Sequence, residues 1–220
     1  MAAISTQSIR PLWVFLVLTL ALPGALRAQT IIAYNVPVGA VSDQFIPNPL
    51  GMDFDVIQPI VVFSLGVFDS GQNGLTFAHV VDIYDRNTQL AVATVTIPAG
   101  TSAQLIGGSR FVNLATPLVL PAGFQGSIVA EINSTDGNGN TNGGGGISTL
   151  NTGGGAIAFV GGGRVSDFGP GVYPARLDGG PANRYLAGTF TFTPVPEPAT
   201  YALLAGGLGM IWLARRRKAV

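Results

Sequence analysis

Asp53 and Asp55 stand two residues apart in the apolar segment Met52–Val56, so on a strand their carboxylates would share one face. The spacing, about 6.6 Å, falls inside the ~5–9.5 Å that paired carboxylates span across a glycosidic bond. With Asp82 they are the acids a polysaccharide hydrolase could use, while a solvated strand face is the plainer reading of the pair. Asp69-Ser70-Gly71-Gln72-Asn73-Gly74 offers oxygens to a hard cation such as Ca²⁺. Asp and Asn beside Gly are also what a tight turn demands, because they tolerate left-handed backbone angles. In Asp136-Gly137-Asn138-Gly139-Asn140-Thr141-Asn142-Gly143 oxygens alternate as at the opening of an EF-hand loop. Thr141 and Ile147 stand where that loop requires Gly and Glu, and no helices flank it, so a Gly-rich mobile loop over 137–155 accounts for the pattern as well. Asp69, Asp136, Asn138 and Asn140 are therefore the residues that could hold Ca²⁺, and no metal or cofactor is required.

Other constellations point away from catalysis. His79 is the single histidine and opens a strand-like segment; without a G-x-S-x-G elbow it reads as a satisfied or surface residue. Gly161-Gly162-Gly163-Arg164 lacks the Lys and the following helix of a phosphate-binding loop. Tyr34, Tyr84, Phe111, Tyr173 and Tyr185 could stack on sugars or fill the core. The absence of Cys excludes disulfides, thiolate metal sites and a Cys nucleophile. A formal net charge of zero excludes a strongly basic nucleic-acid binder. No catalytic residue is assigned, and an enzyme is not expected.

The elements that must position these residues are strands. Ile60–Phe68, His79–Tyr84 and Leu90–Ile97 are rich in β-branched and aromatic residues and are separated by polar Gly/Asn/Asp turns. The third alternates, with Val92, Thr94 and Thr96 on one face and Ala91, Ala93, Val95 and Ile97 on the other. Further strands are predicted at Gln29–Val36, Met52–Val56, Arg110–Leu114, Gly126–Ile132, Ala156–Val160 and Tyr185–Phe192. No segment between 29 and 194 carries an amphipathic helical stripe. Eight to ten short strands with Gly/Pro turns predict an all-β body, an antiparallel, jelly-roll-like β-sandwich. This body, residues 29–194, holds five arginines, no lysine and ten carboxylates, a net charge of −5 that the basic tail conceals.

The two ends read as addresses. Arg10 and the free amine precede the apolar run Leu12–Leu22, and Pro23-Gly24 and Ala25-Leu26-Arg27-Ala28 follow, which predicts a secretory signal over 1–28 cut after Ala28. At the other end Val195-Pro196-Glu197-Pro198 precedes an uncharged stretch, 199–214, and then Arg215-Arg216-Arg217-Lys218. As a single helix the stretch would be ~24 Å long, near the ~30 Å of a hydrocarbon core. Tyr201 and Trp212 stand near its two ends, where rings prefer the interface, and the basic cluster would stay in the cytoplasm.

The Pro-Glu-Pro triplet, short apolar helix and Arg-rich end over 195–220 resemble the PEP-CTERM sorting signal of Gram-negative bacteria. The resemblance implies recognition of Pro196, Glu197 and Pro198 by an exosortase, an integral-membrane processing enzyme, with Arg215, Arg216, Arg217 and Lys218 as stop-transfer charges. It also implies export through the secretion machinery, a precursor held in the inner membrane, and a destination at the cell surface or in an exopolysaccharide matrix. A structural or adhesive protein is thus expected, with an envelope polysaccharide hydrolase or a Ca²⁺-dependent adhesin as alternatives. From Leu50 to Phe192 the chain also resembles an uncharacterised β-sandwich module of bacterial surface proteins. That likeness rests on Leu65–Leu75, Val81–Asp85, Phe111–Gly123 and Gly180–Phe190, and implies a fold without a reaction.

Overall fold

The computed structural model describes residues 30–131, 136–140, 148–169, 171–195 and 206–209. Fifteen strands follow in order: β1 (Ile31–Ile32), β2 (Tyr34–Asn35), β3 (Pro49–Val56), β4 (Ile60–Phe68), β5 (His79–Asp85), β6 (Ala91–Ile97), β7 (Gln104–Ile106), β8 (Ser109–Leu120), β9 (Gln125–Glu131), β10 (Gly139–Asn140), β11 (Thr149–Leu150), β12 (Ile157–Val165), β13 (Arg176–Leu177), β14 (Tyr185–Leu186) and β15 (Gly188–Pro194). All their pairings are antiparallel. One sheet has the order β1-β15-β4-β8-β7 and the other β13-β12-β3-β9-β5-β6; two short ribbons, β10-β14 and β11-β2, complete the fold. Along one side β6 approaches β8 without pairing to it, which closes the curl of the sheets.

Alternation builds the core. In β3, Leu50, Met52, Phe54 and Val56 point between the sheets, and Ile128 and Ala130 of β9 and Val81 and Ile83 of β5 join them. The opposite sheet contributes Ile60, Val62, Leu65, Val67, Phe190 and Phe192. Phe54 and Phe190 meet across the layers at 4.8 Å between ring centroids, so the aromatic pair locks the two sheets face to face. The same alternation sends Gly51, Asp53 and Asp55 to the outer face of the six-stranded sheet.

Two strands outrun their expected ends by five residues or more. β8 continues through Pro117 because its register against β4 shifts between Val62 and Ser64, so residues 114–117 arch out of the ladder and the proline need not donate a hydrogen bond. β12 continues through three glycines by the same means, with a shift between Val160 and Gly163. Part of the expected mobile loop over 137–155 is instead built into the fold: β10 pairs with β14, β11 pairs with β2, and Asn138 is fully buried.

Candidate functional site

The outer face of the six-stranded sheet gathers the candidate acids. Register aligns Asp53 with Ser127 and Val160, and Asp55 with Gln125. Asp53 and Asp55 do share this face, but Asp53 is only 2% exposed, so the expected solvated pair is replaced by a buried ion-pair network. Arg164 Nε donates to both Asp53 oxygens at 2.7 and 2.9 Å, Ser127 Oγ donates to Oδ1, and Arg86 bridges to Asp55 and, at 3.7 Å, to Asp53. A buried carboxylate persists only with such partners.

Two local features aim Arg164. The bulge at Gly161-Gly162, with Gly161 at φ +68°, inserts two residues and keeps Arg164 on the outer face, opposite Gly51. A side chain at Gly51 would stand 3.1 Å from Val129 and 3.5 Å from Arg164, so the glycine leaves space beside the guanidinium. Residues 161–164, which hold no phosphate-loop geometry, are thus a positioning device for the Asp53 network.

Beside it lies Asp82, 3% exposed, accepting from Thr94 Oγ1 at 2.5 Å. Burial pushes its carboxyl pKa up, against the lowering effect of the Thr94 and Tyr84 hydroxyls. Glu131 is raised too, first by burial and also by the Asp82 charge, although Gly171 N–H donates to it and lowers it. Tyr173 covers this region, packing on Tyr84 at 5.4 Å and lying under Arg164 at 5.2 Å.

The cation candidates are committed to the fold. Asp69 receives Arg110 Nε at 2.6 Å, with both side chains buried, and accepts Gly74 N–H through both oxygens. Arg110 also donates to the carbonyls of Thr101 and Ala103, so a guanidinium occupies the place a metal would take beside Asp69. Asp136 accepts His79 Nε2 at 2.6 Å, Thr76 N–H at 2.7 Å and Phe77 N–H at 3.2 Å. Burial opposes ionisation of Asp136, but the bonds from Thr76, His79 and Phe77 outweigh it and hold its pKa below the usual carboxylate range. His79 is itself buried, with Nδ1 at 2.6 Å from the Glu131 carbonyl. Asn138 and Asn140 turn their amide nitrogens to Gln44 Oε1, at 2.9 and 3.1 Å. Among the described residues no group of three His, Asp or Glu side chains could hold a metal.

The aromatic residues singled out by sequence are all interior: Tyr34, Tyr84, Phe111, Tyr173 and Tyr185 are buried. The exposed rings, Phe45, Phe77 and Phe168, carry no sequence signal, and Phe168, at 72% exposed, stands at the lip of a shallow concavity of about 470 Å³. Val172, Gln89, Ser166 and the exposed pair Arg176–Asp167 line it with Phe168. No local pattern marks Phe168, because its exposure follows from how the segment after β12 folds back over the sheet.

At the end of β15, Thr193 faces Val61 and Pro194 faces Ile60, and Val195 N–H donates to the Pro59 carbonyl at 2.8 Å. The ladder therefore runs to the threshold of Pro196-Glu197-Pro198. From that threshold onward, residues 194–218 match the PEP-CTERM protein-sorting motif. The chain carries a PEP-CTERM sorting signal. The motif implies export, a membrane-held precursor, sorting to the cell surface and processing by an exosortase-type enzyme. The match reaches no residue before 194, and no curated protein matches the chain. Pro196, Glu197, Pro198, Arg215, Arg216, Arg217 and Lys218 lie outside the described residues, as do the first 28 residues with the predicted cut after Ala28. Of the predicted span 199–214 only 206–209 are described, and these are helical. Among the described residues no helix is long and apolar enough to cross a membrane.

Proposed function

We propose that this PEP-CTERM protein is a non-catalytic surface or matrix component whose β-sandwich has a structural or adhesive role in extracellular polysaccharide. The sorting motif at 194–218 carries the reading. Two features of the body support it. Asp53, Asp55 and Asp69 are engaged by Arg86, Arg164 and Arg110, so these acids serve the fold as ion-pair partners. The exposed Phe168 ring beside the neutralised Arg176–Asp167 pair offers an apolar face and a planar set of donors and acceptors, the combination that suits the faces and hydroxyls of a sugar.

The test is retention of the mature protein on a column of the polysaccharide from the producing cells, with polymer length measured afterwards. Retention with unchanged polymer length is expected. Phe168→Ala should weaken retention about fivefold, the effect of losing roughly 1 kcal/mol of ring contact. Shortened polymer would make the protein a hydrolase and direct attention to Asp82, while passage without retention would remove the polysaccharide role.

A further inference from the structure

The way the chain leaves the sandwich fixes where the body stands before processing. Val195 is hydrogen-bonded to Pro59, and three residues, 196–198, separate it from the uncharged stretch that opens at Ala199. Four residue steps reach at most ~14 Å even fully extended. Because Ile31 faces Phe192, residue 30 emerges at the same end of the sandwich. Three connections surround the exit: 57–59 between β3 and β4, 121–124 between β8 and β9, and 151–156 ahead of β12. Ile57 and Gln58 N–H both bond the Ala156 carbonyl, and Gly123 N–H bonds the Val56 carbonyl, which ties the three together.

This end differs in chemistry from the rest of the body. Segments 56–61, 117–125 and 149–158 contain no ionisable side chain, in a domain with ten carboxylates. Ile57 and Val119 stand 56% and 62% exposed there. The charges at this end belong to the β5–β6 turn and its neighbour Asp55, at the other side of the sandwich end, where Arg86 is paired to Asp55 and Asp85 accepts Asn87 N–H. A carboxylate held against a bilayer would suffer desolvation and repulsion from anionic headgroups; an uncharged rim with exposed Ile and Val suffers neither.

We propose that in the membrane-held precursor the uncharged rim around the exit, presenting Ile57 and Val119, rests on the lipid headgroup layer. The proposal rests on the sorting reading above, which supplies the membrane anchor. Two exposed aliphatic side chains bind a bilayer feebly alone; the short tether makes the contact by keeping their local concentration at the surface high.

The chain has no cysteine, so single fluorophores can be placed through Ile57→Cys, Val119→Cys and, at the far end of the sandwich, Val38→Cys. The full-length precursor would be reconstituted in phosphatidylethanolamine/phosphatidylglycerol vesicles bearing a headgroup quencher. Quenching at 57 and 119 should exceed that at 38 on the order of twofold or more, because the ladder from Ile60 to Phe68 separates the two ends by about 26 Å. A flexible insert of about ten Gly/Ser residues between Val195 and Pro196, adding roughly 17 Å of reach, should erase the difference. Equal quenching at all three sites in vesicle-bound protein would overturn the proposal while leaving the sorting reading intact. Protection of Ile57 only when the processing enzyme is added would also overturn it, by placing a protein there. Failure of the chain to associate with vesicles at all would overturn the membrane-held reading and the proposal together.

Discussion

Arg110 and Asp69 form the most enclosed ion pair in the molecule's described part, with side chains 4% and 1% exposed. Removing one member strands a buried charge, so Arg110→Ala should cost about 3–5 kcal/mol in urea denaturation. With Arg110 in place, millimolar Ca²⁺ should leave the melting temperature unchanged, since nothing at Asp69 remains to be neutralised. The carboxyls also titrate in opposing senses. Asp136, lowered in the fold, stabilises fully above its unfolded value of ~3.9, and that stabilisation is lost as pH falls through the folded value. Asp82 and Glu131, both raised, favour the folded state fully only below their unfolded values of ~3.9 and ~4.3, and that preference is lost as pH rises through the folded values. Asp136→Asn should therefore lose more stability at about pH 7 than at about pH 3, whereas Asp82→Asn should compare more favourably with wild type at about pH 7 than at about pH 3. Denaturation midpoints of both variants across that range decide it. None of these partnerships is legible in the sequence. Asp69 meets Arg110 from 41 residues away and Asp136 meets His79 from 57, so a turn motif and a loop motif each concealed a tertiary bond.

Elements were far more legible than their side-chain partners. The β-branched run at Ile60–Phe68 forms β4 with those bounds, and the alternation over Ala91–Ile97 places Val95 and Ile97 inside and Thr94 and Thr96 outside. In β8 and β12, where the expected strands stop furthest short, a bulge is responsible: Pro117 and Gly161–Gly163 are local breakers that a register shift accommodates. The two-residue strands β10, β11 and β13 carry no periodicity to detect, and they exist because the surrounding sheet offers them a partner. The β12 bulge is also a packing site. A Cβ on Gly163 would come within 2.3 Å of the Tyr185 ring. Gly163→Ala should thus cost about 1–3 kcal/mol by overpacking. Gly169→Ala, where a Cβ meets nothing within 4 Å, serves as the control and should stay within about 0.5 kcal/mol. Comparable losses in the two variants would mean that Tyr185 yields and that the close approach is not what the glycine protects.

On the scale of the whole molecule, the basic ends and the acidic middle divide the work between addressing and folding. The tail motif was readable because its recognition is linear: a triplet, an apolar stretch and a basic cluster in order. The exposed ring of Phe168 was not, because it becomes available only through the folding back of the segment after β12. The junction between body and tail is the ladder from Thr193 to Val195, whose last hydrogen bond falls on the residue directly before the Pro-Glu-Pro triplet. We propose that the protein is processed at this junction and released to the cell surface. The most direct measurement is the intact mass of the native protein recovered from the envelope and the extracellular matrix. A product lacking both residues 1–28 and the chain beyond Pro196–Pro198 is predicted; a surface product that retains Ala199–Val220 would contradict it and make the tail a permanent anchor.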